Sequence, residues 1–246
     1  ESSVILSGVL KEDKRAPSGY EISVEDYTVV GKAERFPITK EQSNEFLLDV
    51  RHLWLRSQKM LNILKVRATV FDAIREYFKE RKYYEVQAPS FTPAGSEGGS
   101  DLFEVEYFGK KAYLSQSWQL YAEALIPVLE RIYTIAPSFR AEPSRTTRHL
   151  TEYWHAEMEE AWVGLDGIIK VAEGVVSNIC QRVAKDNERE LKELGRDPKD
   201  IRKIKPPFER ITYTEALKLL EKDGMKVQWG KDLRTLEERQ IASHFD

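Results

Sequence analysis

Residues 139–162, FRAEPSRTTRHLTEYWHAEMEEAW, sort charged and apolar side chains onto opposite faces of two strand-like runs. Side chains two apart share a face of a strand. In the first run Arg140 and Glu142 then point one way, and Phe139 and Ala141 the other. In the second, Tyr153, His155, Glu157 and Glu159 share one face, while Trp154, Ala156 and Met158 share the opposite one. The apolar set reads as a core face. The polar set gathers carboxylates, a cation and an aromatic ring on one side of a hairpin, which is costly to bury unless something uses it. The loop between the runs adds Arg145, Arg148 and His149.

The rest of the chain alternates strands with helices. Residues 3–10 and 20–30 are rich in β-branched and aromatic residues, with Ile22 and Val24 on one face and Glu21 and Ser23 on the other. The turn signal Pro17-Ser18-Gly19 joins them into a hairpin. Two strands alone are marginal in water, so a larger β unit is expected around them. Residues 32–58 show no sustained period and read as a connector. From Met60 the period changes: Leu61, Leu64, Ala68, Phe71, Ile74 and Phe78 recur at three and four, one apolar helical stripe. A short strand at 84–86 ends before Pro89, and residues 92–100 form a Gly- and Ser-rich loop. A strand at 111–117 leads into a helix carrying Leu120, Ala124, Leu125, Val128 and Leu129. After the 139–162 hairpin comes a long helix with Leu165, Ile168, Ala172, Val175, Ile179 and Val183 on one side. A charged stretch over 185–205 stops at Pro206-Pro207, and Thr212 with Glu215 fits a capping box closed by Gly224. Antiparallel-looking strands interleaved with helices point to α+β rather than to a doubly wound parallel sheet.

Bulk properties narrow the class. With 246 residues, 41% of them hydrophobic, the chain can bury a core in one or two domains. No apolar run approaches the roughly 18–20 residues that cross a bilayer, so no membrane span is expected. Cys180 is the only cysteine; it excludes an internal disulfide, suits a reducing cytosol, and falls on an apolar helical face as packing. The net charge of −3 does not favour a nucleic-acid partner by itself, so any RNA contact must come from local basic patches. The basic stretch 199–205 is read as a solvated helix face. Both termini are abrupt, and a fragment of something longer is expected.

The 139–162 face suits a bound nucleotide. A guanidinium can fork onto a phosphate and offset charge that grows during attack at phosphorus. A carboxylate can accept from an exocyclic amine, and an aromatic ring can stack on a base. Taken singly, each residue is more simply part of a salt-bridged surface.

FRAE, a short basic loop and RHLTEYWHAEME closely resemble motif 2 of the class II aminoacyl-tRNA synthetases, in their aspartate/asparagine form. Residues 60–93 look like motif 1, and residues 96–121 (SEGGSDLFEVEYFGKKAYLSQSWQLY) resemble the amino-acid-binding loop and strand of that subgroup. The N-terminal hairpin looks like the last part of an anticodon-reading OB-fold. The resemblance runs from about residue 1 to the end and is strongest over 96–162. It implies a partial OB-fold over residues 1–35, a hinge over 36–59, and a class II catalytic domain over 60–246, an antiparallel sheet flanked by helices.

Carried over by position, the resemblance implies that Arg140 holds the α-phosphate and the substrate carboxylate. Glu142 would take the adenine amino group, Tyr153 would stack on adenine, and Arg148, His149 and Leu150 would lie at the ATP phosphates. Glu97 and Gln119 would bind the substrate ammonium, with Gly98-Gly99 letting their loop close. The implied reaction is ATP-dependent activation of an amino acid and its transfer to tRNA, driven by positioning and charge neutralisation, with Mg²⁺ shielding the phosphates. The implied setting is a cytoplasmic homodimer formed through residues 60–93.

Two positions bear on the amino acid. Aspartate enzymes of the subgroup carry a lysine three residues after the glutamine of Gln-Leu-Tyr; here that position is Ala122. Where they carry aspartate, this chain has Glu157, as asparagine enzymes do. A carboxylate there accepts from a substrate amide and repels a substrate carboxylate, so asparagine and tRNA(Asn) are expected. The family's third motif is absent, and magnesium ligands are expected downstream of Asp246. Trp118 is bulkier than expected beside the pocket and reads as packing. An aspartyl enzyme, an asparagine-making paralogue and a non-catalytic module on the same fold stay open.

Overall fold

A computed structural model describes residues 1–16, 18–39, 42–95, 102–143 and 149–245. The chain divides into two units, Glu1–Leu61 and Asn62–Asp246. In the first, β1 (Ser3–Glu12) and β2 (Tyr20–Gly31) pair antiparallel, with Leu10 opposite Ile22 and Lys11 opposite Glu21. The register shifts between Ser7 and Gly8, and only glycine fits there: a Cβ on Gly8 would lie 2.1 Å from the Ser23 carbonyl oxygen. The turn closes with the Asp13 N–H donating to the Gly19 carbonyl at 2.9 Å, and Gly19 takes φ +79°.

Within the expected connector lie two short helices, α1 (Asn44–Asp49) and α2 (Arg51–Trp54). No apolar period announced them. The start of α1 is set locally by Ser43, whose hydroxyl accepts from the Phe46 N–H.

Helix α3 (Gln58–Glu80) opens onto the second unit. Its buried face is formed by Ala73, Ile74, Tyr77 and Phe78, whereas Leu61 and Leu64, from the predicted stripe, remain 42% and 41% exposed. The stripe is therefore used only in its C-terminal half, where the sheet and a second long helix meet it.

Two three-stranded sheets follow. One orders β3 (Tyr84–Glu85), β7 (Arg131–Phe139) and β8 (Glu152–Glu160); β3 runs parallel to β7, and β7 antiparallel to β8. The other is antiparallel throughout, with β6 (Lys110–Leu114) between β4 (Phe91–Thr92) and β5 (Glu104–Tyr107). The Ser115 N–H donates to the Ser90 carbonyl, extending the β4–β6 pairing, and the Phe139 N–H donates to the Ser115 carbonyl, joining the two sheets, both at 2.9 Å.

One face of the β3-β7-β8 sheet packs on α3 and on α5 (Leu165–Asp186). Ile74, Tyr77, Phe78, Tyr83, Tyr133 and Ile135 form the core there, joined by Met158, Val171, Val175 and Ile179. Phe78 stacks on Tyr133 with centroids 4.6 Å apart. Trp154, expected on this core face, meets Phe71 edge-on but stays 52% exposed, because β8 is the edge strand. The opposite face is covered at one end by α4 (Gln119–Leu129), through Trp118, Ala122 and Ile132. Trp118 is packing, the role expected of it. The other end of that face carries Ser138, Tyr153 and His155 and is not part of either core cluster.

The chain continues through α6 (Glu188–Glu193), α7 (Pro198–Arg202), α8 (Tyr213–Lys222) and α9 (Thr235–Ala242). The capping box is formed as expected: the Glu215 N–H donates to the Thr212 hydroxyl, and the Thr212 N–H to the Glu215 carboxylate. Gly224 ends that helix at φ +81°. Antiparallel sheets flanked by helices are the expected class, with β3–β7 as its one parallel pair among the described residues.

Candidate functional site

The alternation along β8 holds in three dimensions. Tyr153, His155, Glu157 and Glu159 lie opposite Ser138, Ala136, Thr134 and Ile132 of β7 respectively. β7 ends at Phe139, but the Arg140 N–H still donates to the Thr151 carbonyl at 2.9 Å, extending the pairing by one residue. The Arg140 guanidinium lies 5.6 Å from the centre of the Tyr153 ring, a cation–π contact. Glu142 departs from expectation: it is exposed and past the end of the strand, where strand alternation no longer assigns it a face. His149 and Leu150 lie on the exposed approach to β8. Glu97, Gly98, Gly99, Arg145 and Arg148 fall outside the described residues.

At the other end of the face sits Glu157. Its carboxylate accepts from the Ser117 hydroxyl and, at 3.0 Å, from the Trp118 N–H. His155 Nδ1 lies 3.2 Å from the same carboxylate. A carboxylate only accepts, so Nδ1 carries the proton of that bond. Burial pushes the Glu157 carboxyl upward, but the His155 and Ser117 hydrogen bonds, the Trp118 N–H and the His155 charge outweigh it and hold it below the ordinary glutamate range. Trp118 caps α4, which has no side-chain cap of its own, so Glu157 sits at that helix's positive end. Burial and the charges of Glu123 and Glu157 shift Glu159 the opposite way, upward.

Gln119 opens α4; its N–H donates to the Ser117 hydroxyl at 3.1 Å and its amide to Glu123 at 3.2 Å. Ala122, one turn on, is fully buried against Trp118 and Ile132. From the Tyr153 level to the Glu157 level is four strand residues, about 14 Å at ~3.4 Å each. The face thus runs from a cationic, aromatic end to an anionic end over a small-ligand length.

Ser117, Ser138 and His155 were not singled out as site residues from sequence. His155 was legible, since alternation places it on the Glu157 face. Ser117 was not, because its contact spans 40 residues and depends on how the two sheets join. Beside Ser117, a cavity of about 340 Å³ is lined by Pro89, Phe91, Gln116, Leu120 and Tyr121. A larger one of about 620 Å³ lies elsewhere, at the β3 edge. There the charges already pair with one another, Arg75 with Glu85 at 3.2 Å and Arg182 with Glu76 at 2.6 Å. Among the described residues, no group of three or more His, Cys, Asp or Glu could hold a metal ion, and no helix is long and apolar enough to cross a membrane.

The family model described as tRNA synthetases class II (D, K and N) matches residues 43–243. The whole chain is 51% identical to an asparagine–tRNA ligase of Thermoplasma acidophilum and 47% identical to that of Thermococcus gammatolerans, covering 57% of each. Among solved structures, the asparaginyl-tRNA synthetase of Pyrococcus horikoshii complexed with asparaginyl-adenylate superposes with a TM-score of 0.93. It is 45% identical, over all of this chain and 57% of that one. The Entamoeba histolytica asparaginyl-tRNA synthetase matches 99% of this chain and 58% of its own, with a TM-score of 0.87 at 27% identity. The chain therefore spans a little over half the length of the relatives it matches.

Proposed function

Since the chain belongs to the class II tRNA synthetases of the D, K and N group, we propose that the protein carrying it activates asparagine with ATP and transfers it to tRNA(Asn). The observation that carries this reading is Glu157, held ionised at one end of the face, with fully buried Ala122 where a lysine would answer a substrate carboxylate. An amide N–H satisfies Glu157, whereas a second carboxylate would meet it at close range in a partly desolvated site. The relatives' names point to the same amino acid.

In this reading ATP lies along the face with its adenine on Tyr153 and its amino group at Glu142. Arg140 forks onto the α-phosphate and the asparagine carboxylate, bringing nucleophile and phosphorus together while offsetting charge in the transition state. The Tyr153 contact keeps that guanidinium on the face before the ligand arrives. Arg148, His149 and Leu150 contact the phosphates, and Glu97 with Gln119 binds the ammonium. The carboxylate oxygen attacks the α-phosphorus, pyrophosphate leaves, and the 3′-terminal ribose hydroxyl of tRNA takes the acyl group. Mg²⁺, when bound, would supply shielding of the phosphates; among the described residues no group of three or more His, Cys, Asp or Glu could hold it.

The same reading makes residues 1–35 part of an OB-fold that meets the anticodon, 36–59 a hinge, and 60–246 catalytic. It makes 60–93 the homodimer contact and the cytoplasm the compartment. The exposed Leu61 and Leu64 on α3 are in keeping with a partner on that face.

The test is ATP–pyrophosphate exchange by the protein that carries this chain, with asparagine and aspartate at equal concentration. Exchange with asparagine alone is expected. Exchange with aspartate would overturn the amide assignment, and no exchange with either would favour a non-catalytic role.

A further inference from the structure

We infer that Ser117 and His155 are positioning residues that, with the Trp118 N–H, fix the Glu157 carboxylate so that one acceptor position remains for the substrate. The inference rests on the asparagine reading above and concerns how its specificity is built.

A carboxylate offers about four lone-pair sites. On Oε1, two are taken, by the Trp118 N–H at 3.0 Å and His155 Nδ1 at 3.2 Å. On Oε2, one is taken, by the Ser117 hydroxyl. Among the described residues nothing takes the second position on Oε2, and only a donor can use it.

The donors are themselves held. The Ser117 oxygen accepts from the Gln119 N–H at 3.1 Å, which turns its own proton towards Glu157. The Ser115 hydroxyl donates to the Ser117 carbonyl at 2.8 Å, fixing the backbone that carries the hydroxyl. His155 is backed by the Ser138 hydroxyl, 3.5 Å from the same Nδ1, and by the Tyr153 ring, centroids 5.3 Å apart. Two strands, the sheet junction and the start of α4 therefore converge on one carboxylate, more than an ordinary surface glutamate receives. A chain of hydrogen bonds of this kind polarises its members and narrows the orientation of the last one.

The competing explanation is that Glu157 only caps α4. The two differ in what they predict for kinetics. Glu157 lies about 14 Å along the face from the Tyr153 level, away from the phosphate chemistry. Loosening it should weaken ground-state and transition-state binding alike, which raises KM and leaves kcat in place. A loosened cap would instead lower the melting temperature with no preference for one substrate.

The experiment is exchange kinetics on the whole protein carrying this chain, for Ser117→Ala and His155→Ala. Ser117→Thr and His155→Asn, which keep a donor near the lost one, are the rescue variants. KM for asparagine is expected to rise in each alanine variant by up to roughly 10-fold, because an internal hydrogen bond to a charged group passes only part of its worth to the substrate. KM for ATP and kcat should hold, and the conservative variants should recover most of the loss. An unchanged KM for asparagine in both alanine variants, with exchange intact, would overturn the positioning role alone. A kcat loss tracking melting temperature, without rescue, would do the same in favour of the cap. No exchange with asparagine by the unsubstituted protein would overturn the underlying reading, and this inference with it.

Discussion

The Phe139 N–H donates to the Ser115 carbonyl at 2.9 Å, and this bond ties the two sheets together two residues from Ser117. Together with the packing of Trp118 and Ala122 on Ile132, it holds the Ser117 hydroxyl and the Trp118 N–H, two of the three partners of Glu157, against β8. The site's anionic end is thus made by a junction between sheets rather than by either sheet.

Glu157→Gln should relax the choice of amino acid. The neutral amide no longer repels a substrate carboxylate and can donate to it, while asparagine loses a charge-assisted bond of about 1.5–3 kcal/mol. The expected result is a 10- to 100-fold fall in kcat/KM for asparagine in ATP–pyrophosphate exchange, with aspartate gaining relative to it.

Arg140→Lys keeps the charge but loses the planar fork and the guanidinium contact with Tyr153. Exchange should fall by about 10²–10³, the usual effect of removing one preorganised donor to developing charge. The change should lie mainly in kcat. Wild-type kcat in the variant would remove Arg140 from the role proposed for it.

Gly174→Ala should destabilise the fold despite alanine's better helix propensity of about 1 kcal/mol. A Cβ at that position would lie 2.2 Å from Tyr77 Oη and 2.8 Å from Cζ. Tyr77 cannot easily yield, since it is buried in the core and its hydroxyl donates to the Val171 carbonyl at 3.3 Å. A net loss of about 1–3 kcal/mol is expected in urea unfolding, and a gain in stability would contradict this packing of α3 on α5.

Stability should fall at alkaline pH through the core tyrosines. Burial, the hydrogen bond to Glu85 and that residue's charge push the Tyr133 hydroxyl up to about 12, partly opposed by Arg75. Tyr83 shifts in the same direction, by burial and by its 2.5 Å bond to Glu160. A raised folded-state value means that the neutral phenol stabilises the fold. That contribution is complete below the unfolded value near ~10 and is lost as pH rises through the folded one. The urea midpoint should drop between about pH 10 and 12, and Tyr133→Phe should make the drop shallower.

Much of this was legible along the chain. The two-residue alternation placed Tyr153, His155, Glu157 and Glu159 on one face, because register opposite β7 leaves a strand no other choice. Thr212, Glu215 and Gly224 marked a helix's ends by local hydrogen bonds and a positive φ, which need no distant partner. Period failed where the chain stopped being regular. The face expected for Glu142 alongside Arg140 lapses because β7 ends at Phe139, and α1 begins on a serine cap rather than on an apolar stripe.

The sequence by itself determined the long helices, the hairpin strands with their two faces and the types of group on the polar side, since these depend on neighbours one to four residues apart. Only the tertiary structure decided which end of the α3 stripe is buried, and that Ser117 and the start of α4 meet Glu157. Those outcomes join residues 39 and 40 positions apart in the case of Glu157. They follow from packing and sheet junctions that no local period encodes.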